Sequence, residues 1–350
     1  MPRGRAAGRP RMKMHSTNRR RSRAIAGKRA VKGGTRLDIV DAWFGFCHER
    51  VPGKGEDSWC HAFNERAGLI GVFDGCGGLG AACYEKAGGH TGAYLASRTS
   101  AEATLEWFEG YCEGEPGDVE HLKERLSAAL SACAEAVGAG ASGLMGSMVR
   151  RLPTTAALWR FEKGTDGRLE ALCAFAGDSR AYLLDDRGLA QVSVDDIAGE
   201  DAMSNLCNDA AMSNVISADG RFTLGEARVR PVGPCVLLCA TDGCFGYLKS
   251  PMEFEHLLLS TLEVSKSVDA WQEKLERVLD EIAGDDQSLA AVVIGYGSFV
   301  GLRRAMKPRL EALETMVAGF GDSYEARLAA WEREKAAYYR LAGGGAPKEK

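Results

Sequence analysis

Leu69-Ile70-Gly71-Val72-Phe73-Asp74-Gly75-Cys76-Gly77-Gly78 is an apolar, β-rich run that ends on a carboxylate and a glycine-dense turn. Alone it reads as a strand entering a turn, because Asp-Gly is a strong turn signal. The pattern recurs along the chain. Leu172–Ala176 runs into Gly177-Asp178-Ser179-Arg180, and Cys235–Ala240 into Thr241-Asp242-Gly243. Gly284-Asp285-Asp286-Gln287 precedes the run Leu289–Tyr296, and Glu56-Asp57-Ser58 precedes Trp59 in a candidate early strand. Singly, each is a turn or a cap. Together they set carboxylates at the ends of several strands, where they can converge on one point. Concentrated negative charge is costly unless cations offset it. Oxygen-only donors select hard cations, Mg²⁺ or Mn²⁺, over zinc. Two such ions bridged by one carboxylate activate a water for in-line attack on phosphorus. The glycines around Asp74 let the backbone approach a metal closely enough for a main-chain carbonyl to bind it.

Outward from these runs, Ala156–Phe161 and Ala181–Leu184 also read as strands. The short turn between Leu172–Ala176 and Ala181–Leu184 predicts an antiparallel hairpin. Helices are expected over Thr91–Glu109, Val119–Val137, Met252–Leu262 and Val268–Ile282, with His90 beginning the first. Strand runs followed by paired helices indicate an α+β domain with antiparallel sheets, over residues 37–300. The polar stretch Asp195–Phe222 is long for a connection and reads as a lid. Asn205, Asn208 and Ser213 are candidate contacts on it.

Residues 301–342 form a helical extension. Leu310, Leu313, Val317 and Phe320 recur at helical spacing. After Gly319 and Gly321, Asp322 is placed to cap a second helix with Glu325 as its capping-box partner. Tyr324, Leu328, Trp331 and Tyr338 are expected on one face of it, packed against the body. Residues 343–350 read as a flexible tail.

Of the 44 Lys and Arg, 13 lie in residues 1–36, which hold no Asp or Glu; the remaining 31 face 48 acidic side chains, a net of −17. The acidic body suits divalent cations and argues against nucleic acid as main substrate. The basic arm 1–36 reads as disordered: a solvated tail, a segment upstream of a true start at Met12 or Met14, or a tether to anionic partners. Eleven cysteines without a CxxC pair point to reduced thiols rather than a disulfide framework or a zinc site. No apolar run approaches the roughly 20 residues a membrane span needs, and the N-terminus lacks a secretory apolar core; a cytoplasmic location is expected.

In order along residues 37–299, Glu56-Asp57, Val72-Phe73-Asp74-Gly75-x-Gly77-Gly78, Gly177-Asp178-Ser179-Arg180, Thr241-Asp242-Gly243 and Asp285-Asp286-x-Ser288 resemble the motifs of the metal-dependent protein phosphatases of the 2C type (PPM), bacterial members especially. The resemblance implies a four-layer αββα sandwich and a centre of two Mn²⁺ or Mg²⁺ ions, with a weaker third. By it, Asp74 bridges the ions, Asp242 and Asp285 hold one, and Glu56 with the Gly75 carbonyl holds the other. Asp178 belongs to the third site, and Asp57, Cys76 and Ser288 lie just behind the ligands. It also implies hydrolysis of phosphoserine and phosphothreonine in proteins, and a cognate Ser/Thr kinase. Three positions depart from the family's pattern. Cys76 stands where eukaryotic members have His, Pro52 where an Arg grips phosphate, and Gly246 where an acid is common. Arg50 or Lys54 is then the candidate phosphate contact. The alternative is a catalytically weak pseudophosphatase that binds phosphoproteins as a scaffold. A nucleophilic Ser or Cys hydrolase finds little support: there is no GxSxG, and His48, His61 and His90 sit in no triad context.

Overall fold

Every residue of Cys235–Ala240 and of Gln287–Ile294 is buried, as happens only when both faces of a sheet are covered. The computed structural model describes residues 37–139, 150–197, 199, 201–207 and 212–342; the arm 1–36, the tail 343–350 and Asn208 lie outside them. In chain order the elements are β1 (Val40–His48), β2 (Ser58–Phe63), β3 (Ala67–Phe73), β4 (Cys83–Tyr84), β5 (His90–Thr91), α1 (Gly92–Glu113), α2 (Val119–Val137), β6 (Ala156–Lys163), β7 (Leu169–Ala176), β8 (Arg180–Asp185) and β9 (Gly188–Gln191). There follow α3 (Ala202–Cys207), β10 (Gly225–Val229), β11 (Cys235–Ala240), α4 (Pro251–Glu263), α5 (Val268–Ile282), β12 (Gln287–Ile294), α6 (Phe299–Ala318) and α7 (Tyr324–Tyr338).

Two antiparallel five-stranded sheets form, ordered β1-β12-β11-β8-β9 and β10-β7-β6-β3-β2. Side chains alternate across each strand. Cys235, Leu237 and Cys239 point into the core between the sheets, while Val236, Leu238 and Ala240 pack under the outer helices. Helices α4 to α7 cover the first sheet, and α1 and α2 the second. The result is the expected αββα sandwich.

Local chemistry sets the helix ends. Thr91 and Asp118 cap α1 and α2 by accepting from the Tyr94 and His121 amides at 3.1 and 2.9 Å. Ser250 caps α4, with Pro251 as its first residue.

Four expectations are corrected. β7 and β8 are not a hairpin: β7 pairs with β6 and β10, and β8 with β11 and β9, so the short Gly177–Ser179 turn carries the chain from one sheet to the other. Gly177 at φ +85° allows that turn. His90 lies in β5, one residue before the Thr91 cap. The cap of α7 is Ser323, which accepts from the Ala326 amide at 3.1 Å, rather than Asp322. The buried face of α7 consists of Arg327, Ala330, Trp331 and Tyr338, while Tyr324 and Leu328 are exposed.

The α6–α7 pair does pack on the body. Leu302, Met306, Leu310 and Leu313 join the core under the first sheet with Trp331. Ion pairs at the margin fix its register: Arg309 forks onto Glu255 at 2.7 and 2.8 Å and reaches Glu334 at 2.9 Å, and Arg327 meets Glu253 at 2.9 Å. Because Glu255 is buried, removing Arg309 would leave a desolvated charge.

Candidate active site

Strand register brings the acidic segments to one end of the sandwich. In the second sheet Ser58 pairs with Phe73, Val72 with Ala157, and Ala156 with Ala176. Glu56-Asp57, Asp74 and Asp178 therefore leave that sheet at the same end. In the first sheet Ala240 pairs with both Leu289 and Arg180, so Asp242, Asp285 and Asp178 flank one another.

Bonds across the sandwich lock these ends. Thr241 Oγ1 donates to the buried Asp57 Oδ2 at 2.8 Å, joining the two sheets. The Ser288 amide donates to Thr241 Oγ1, and the Thr241 amide to the Ser288 carbonyl, both at 2.9 Å. The Thr155 and Ser179 hydroxyls meet at 2.6 Å. The Thr155 amide and Thr154 hydroxyl hold the Asp74 carbonyl at 2.8 and 2.6 Å. Asp286 closes the loop before β2, its carboxylate accepting from the Arg50 and Glu56 amides at 2.8 and 2.6 Å. Two glycines are sterically required. A Cβ on Gly243 would lie 1.9 Å from the Asp286 carbonyl, and one on Gly75 would lie 2.5 Å from the Ala93 carbonyl.

The carboxyls repel one another. Burial pushes Asp74 well above the usual carboxylate range, and the charges of Asp57, Asp242, Asp178 and Asp285 add to it. Burial, with Asp242 and Asp286 nearby, raises Asp57 to about 8 despite the Thr241 bond. Asp178 reaches about 7 through burial and the charges of Asp242 and Asp195. Asp242 reaches about 6 through burial and Asp285. Glu56 is raised by burial, an effect opposed by the Thr91 hydroxyl on its Oε1. Asp178 Oδ1 is buried with no hydrogen-bond partner.

This donor set of buried carboxylates, one of them with an orphaned oxygen, has the chemistry of a hard-cation site. Among the described residues, no three His, Cys, Asp or Glu side chains are grouped to hold an ion as they stand.

Asp285 is exposed and caps its own turn through the Asp286 amide at 2.8 Å. Cys76 lies against the cluster, where burial and the Asp74 charge push its thiol well up, so it is a poor nucleophile. Arg50 is exposed, with its guanidinium 3.8 Å from Asp280. Lys54 is exposed in the same loop. In the Asp195–Phe222 stretch, Asn205 donates to Asp195 at 2.9 Å, and the Ser213 hydroxyl donates to the Asp196 carbonyl at 2.8 Å.

The sequence motifs contain Thr241, Asp286 and Arg180 but give no sign of their role in organising this end, and Arg98 lies outside the motifs. Besides Thr241 and Asp286, Arg98 stacks 3.5 Å from the Tyr94 ring centroid and donates to the Gly55 carbonyl at 3.1 Å. Arg180 forms a buried pair with Asp195, Nη2 to Oδ2 at 2.7 Å, beneath the Phe245 ring.

No family profile matches this sequence, and no curated protein matches it. Solved structures do. Stp1, a serine/threonine phosphatase from Staphylococcus aureus, is 18% identical with a TM-score of 0.52, over 76% of this chain and 98% of that one. The serine/threonine phosphatase PstP/Ppp from Mycobacterium tuberculosis is 18% identical with a TM-score of 0.51, over 73% of this chain and all of that one. A bacterial serine phosphatase is 17% identical with a TM-score of 0.52, over 73% and 98% of the two chains. At these identities the likeness is one of fold: the chain has the fold of bacterial serine/threonine phosphatases, as the 2C-type resemblance implied. Among the described residues no helix is long and apolar enough to cross a membrane.

Proposed function

We propose that this chain is a metal-dependent serine/threonine protein phosphatase whose phosphatase domain is residues 37–300, with 301–342 as a helical extension. One observation carries the reading: five acidic segments, far apart in sequence, are brought by strand register to one end of a sandwich, where burial, and after it the like charges alongside, holds Asp57, Asp74, Asp178 and Asp242 above the usual carboxylate range. Such mutual repulsion is relieved by divalent cations.

In this reading Asp74 would serve both ions of a two-ion Mn²⁺ or Mg²⁺ centre. Asp242 and Asp285 would help hold one, Glu56 and the Gly75 carbonyl the other, and Asp178 a weaker third. Ions held there would supply a water activated for attack on phosphorus. The chain's own residues position. The Asp57–Thr241 bond sets the distance between the sheets, and Ser288 holds Thr241 in place through its main chain. Asp286 sets the Arg50–Glu56 loop, so that Arg50 and Lys54 stand at the rim to meet a substrate phosphate as exposed cations. Cys76, with its raised pKa, packs beside Asp74 and stays protonated at neutral pH. Phosphoproteins are the proposed substrates, a Ser/Thr kinase the opposing enzyme, and the cytoplasm the location; the basic arm is left for anionic partners.

The test is hydrolysis of a phosphothreonine peptide by the full chain, with Mn²⁺ and with EDTA, beside Asp242→Asn. Turnover that needs Mn²⁺ and is lost in the variant is expected. Turnover that persists in excess chelator would sink the proposal.

A further inference from the structure

The Asp195–Phe222 stretch and the C-terminal helix meet at one carboxylate. Asp201 Oδ1 accepts from the Met203 and Ser204 amides at 3.0 and 2.9 Å, starting α3. Its Oδ2 accepts from Trp331 Nε1 at 3.0 Å and Lys335 Nζ at 2.6 Å, both on α7. Beside it the Ala202 amide donates to the Tyr339 hydroxyl at 2.7 Å. Ala202 and Met203 are buried in the same core as Trp331. A six-residue helix has no stability of its own in water, so α3 is ordered by what it docks on, and it docks on α7.

From α3 the contacts run to the acidic site. Asn205 Nδ2 donates to Asp195 Oδ2 at 2.9 Å, and Gln191 Nε2 to Asp195 Oδ1 at 2.8 Å. Asp195 receives Arg180 in a fork, with Nε at 3.1 Å from both oxygens and Nη2 at 2.7 Å from Oδ2. Arg180 and Asp195 are almost fully buried, so neither charge is free to reorient. The guanidinium stacks 4.2 Å from the Phe245 ring centroid, three residues beyond Asp242, and Arg180 is two residues beyond Asp178. It is a fixed positive charge beside two of the carboxyls.

We propose that Asp201 is a positioning residue. Through it, α7 orders α3, α3 orders Asp195, and Asp195 orients Arg180 toward Asp178 and Asp242. The C-terminal helix thus sets the geometry of the acidic site without touching it. The matched phosphatases are covered at 98% or more of their length by about three quarters of this chain, so part of this chain lies beyond their common fold. The inference rests on the proposed function only where Mn²⁺ is concerned.

The test compares wild-type full-length protein with Asp201→Ala and the milder Lys335→Met. Amide hydrogen exchange is read at 202–206, at 180–182 and in β6, together with the Mn²⁺ concentration that gives half of the thermal shift. Expected in Asp201→Ala is acceleration at 202–206 and at 180–182 together, about tenfold or more, with β6 unchanged and a several-fold higher Mn²⁺ midpoint; Lys335→Met follows in the same order, less strongly. Acceleration confined to 202–206 with an unchanged Mn²⁺ midpoint would overturn the coupling, as would uniform acceleration across β6. If wild type shows no Mn²⁺ shift at all, the proposed function fails, while the joint exchange at 202–206 and 180–182 still decides the inference.

Discussion

Asp242→Asn should make the metal-free protein more stable and the metal-bound protein less so. In the folded chain the Asp242 carboxyl is held at about 6 rather than the ordinary 3.8. At pH 8 it must nonetheless ionise, and that mismatch costs about 3 kcal/mol at about 1.4 kcal/mol per pH unit. Asparagine keeps the shape and carries no charge. Neighbouring carboxyls relax when one charge leaves, so a gain of about 1–3 kcal/mol is expected, or about 2–8 °C for a domain of this size. With Mn²⁺ at about a thousand times its dissociation constant, the wild type gains about 4 kcal/mol, whereas the variant, lacking a ligand, gains far less. The melting curves should therefore change order. In EDTA at pH 8 the variant melts higher; in saturating Mn²⁺ the wild type does. Differential scanning fluorimetry over a Mn²⁺ series reads this directly. A variant that melts lower in EDTA, or an equal Mn²⁺ shift in both proteins, would refute the reasoning.

Other perturbations probe different parts of the same architecture. Asp57, Asp178 and Asp242 have folded pKa values of about 8, 7 and 6, all above the ordinary 3.8. Between pH 4 and 8 the folded state thus binds protons that the unfolded state has released, so metal-free stability should fall as pH rises through that window and level off above it. Asp201, lowered by Lys335 and the amides it accepts from, acts oppositely, contributing stability that is lost only as pH falls below about 4. Melting temperatures in EDTA from pH 5 to 8.5 check the sign. Asp195→Ala strands the buried Arg180 and should cost about 3–5 kcal/mol in denaturant unfolding, far more than Asp166→Ala at an exposed turn. Gly243→Ala drives a Cβ into the Asp286 carbonyl; a loss of about 1–3 kcal/mol with disproportionate loss of the Mn²⁺-induced shift is expected, and an unchanged shift would mean that this contact does not shape the site.

What could be read from the sequence follows from which interactions are local. The limits of β11, α2 and α5 match their apolar patterns residue for residue, because burial on both faces or on one helical stripe leaves a pattern within the segment itself. β1 went unread: it is an edge strand, its residues are mostly half-buried, and Asp41 and Gly45 interrupt its apolar character. The mistaken β7–β8 hairpin has the same origin. A short turn looks alike whether the chain folds back in one sheet or crosses to another, and Thr155, whose hydroxyl meets Ser179 at the crossing, lies outside the turn. At the site, the acidic positions were legible because each ends or begins a strand. Their partners were not. Thr241 reaches Asp57 across 184 positions and Asp286 reaches the Glu56 amide across 230, and no periodicity encodes such a meeting.

The acidic end also bears on the scaffold alternative. A protein that only bound phosphoproteins would need positive charge at this end and a quiet frame. This frame instead spends hydrogen-bonded structure on holding negative charge together. Thr241, Ser288, Thr155 and Asp286 fasten strand ends of both sheets, while Asp178 keeps a buried oxygen with no partner and Asp74 is surrounded by four like charges. A local conflict inside an otherwise consistent fold is the signature of a functional site. Here its sign is specific: an anionic phosphate would be repelled by the bare cluster, and the cations that would reverse that repulsion are the same ones that the oxygen-only donor set would select. Metal before phosphate is therefore the order of binding that the electrostatics favour, and phosphate should compete poorly for the protein in EDTA and well in Mn²⁺.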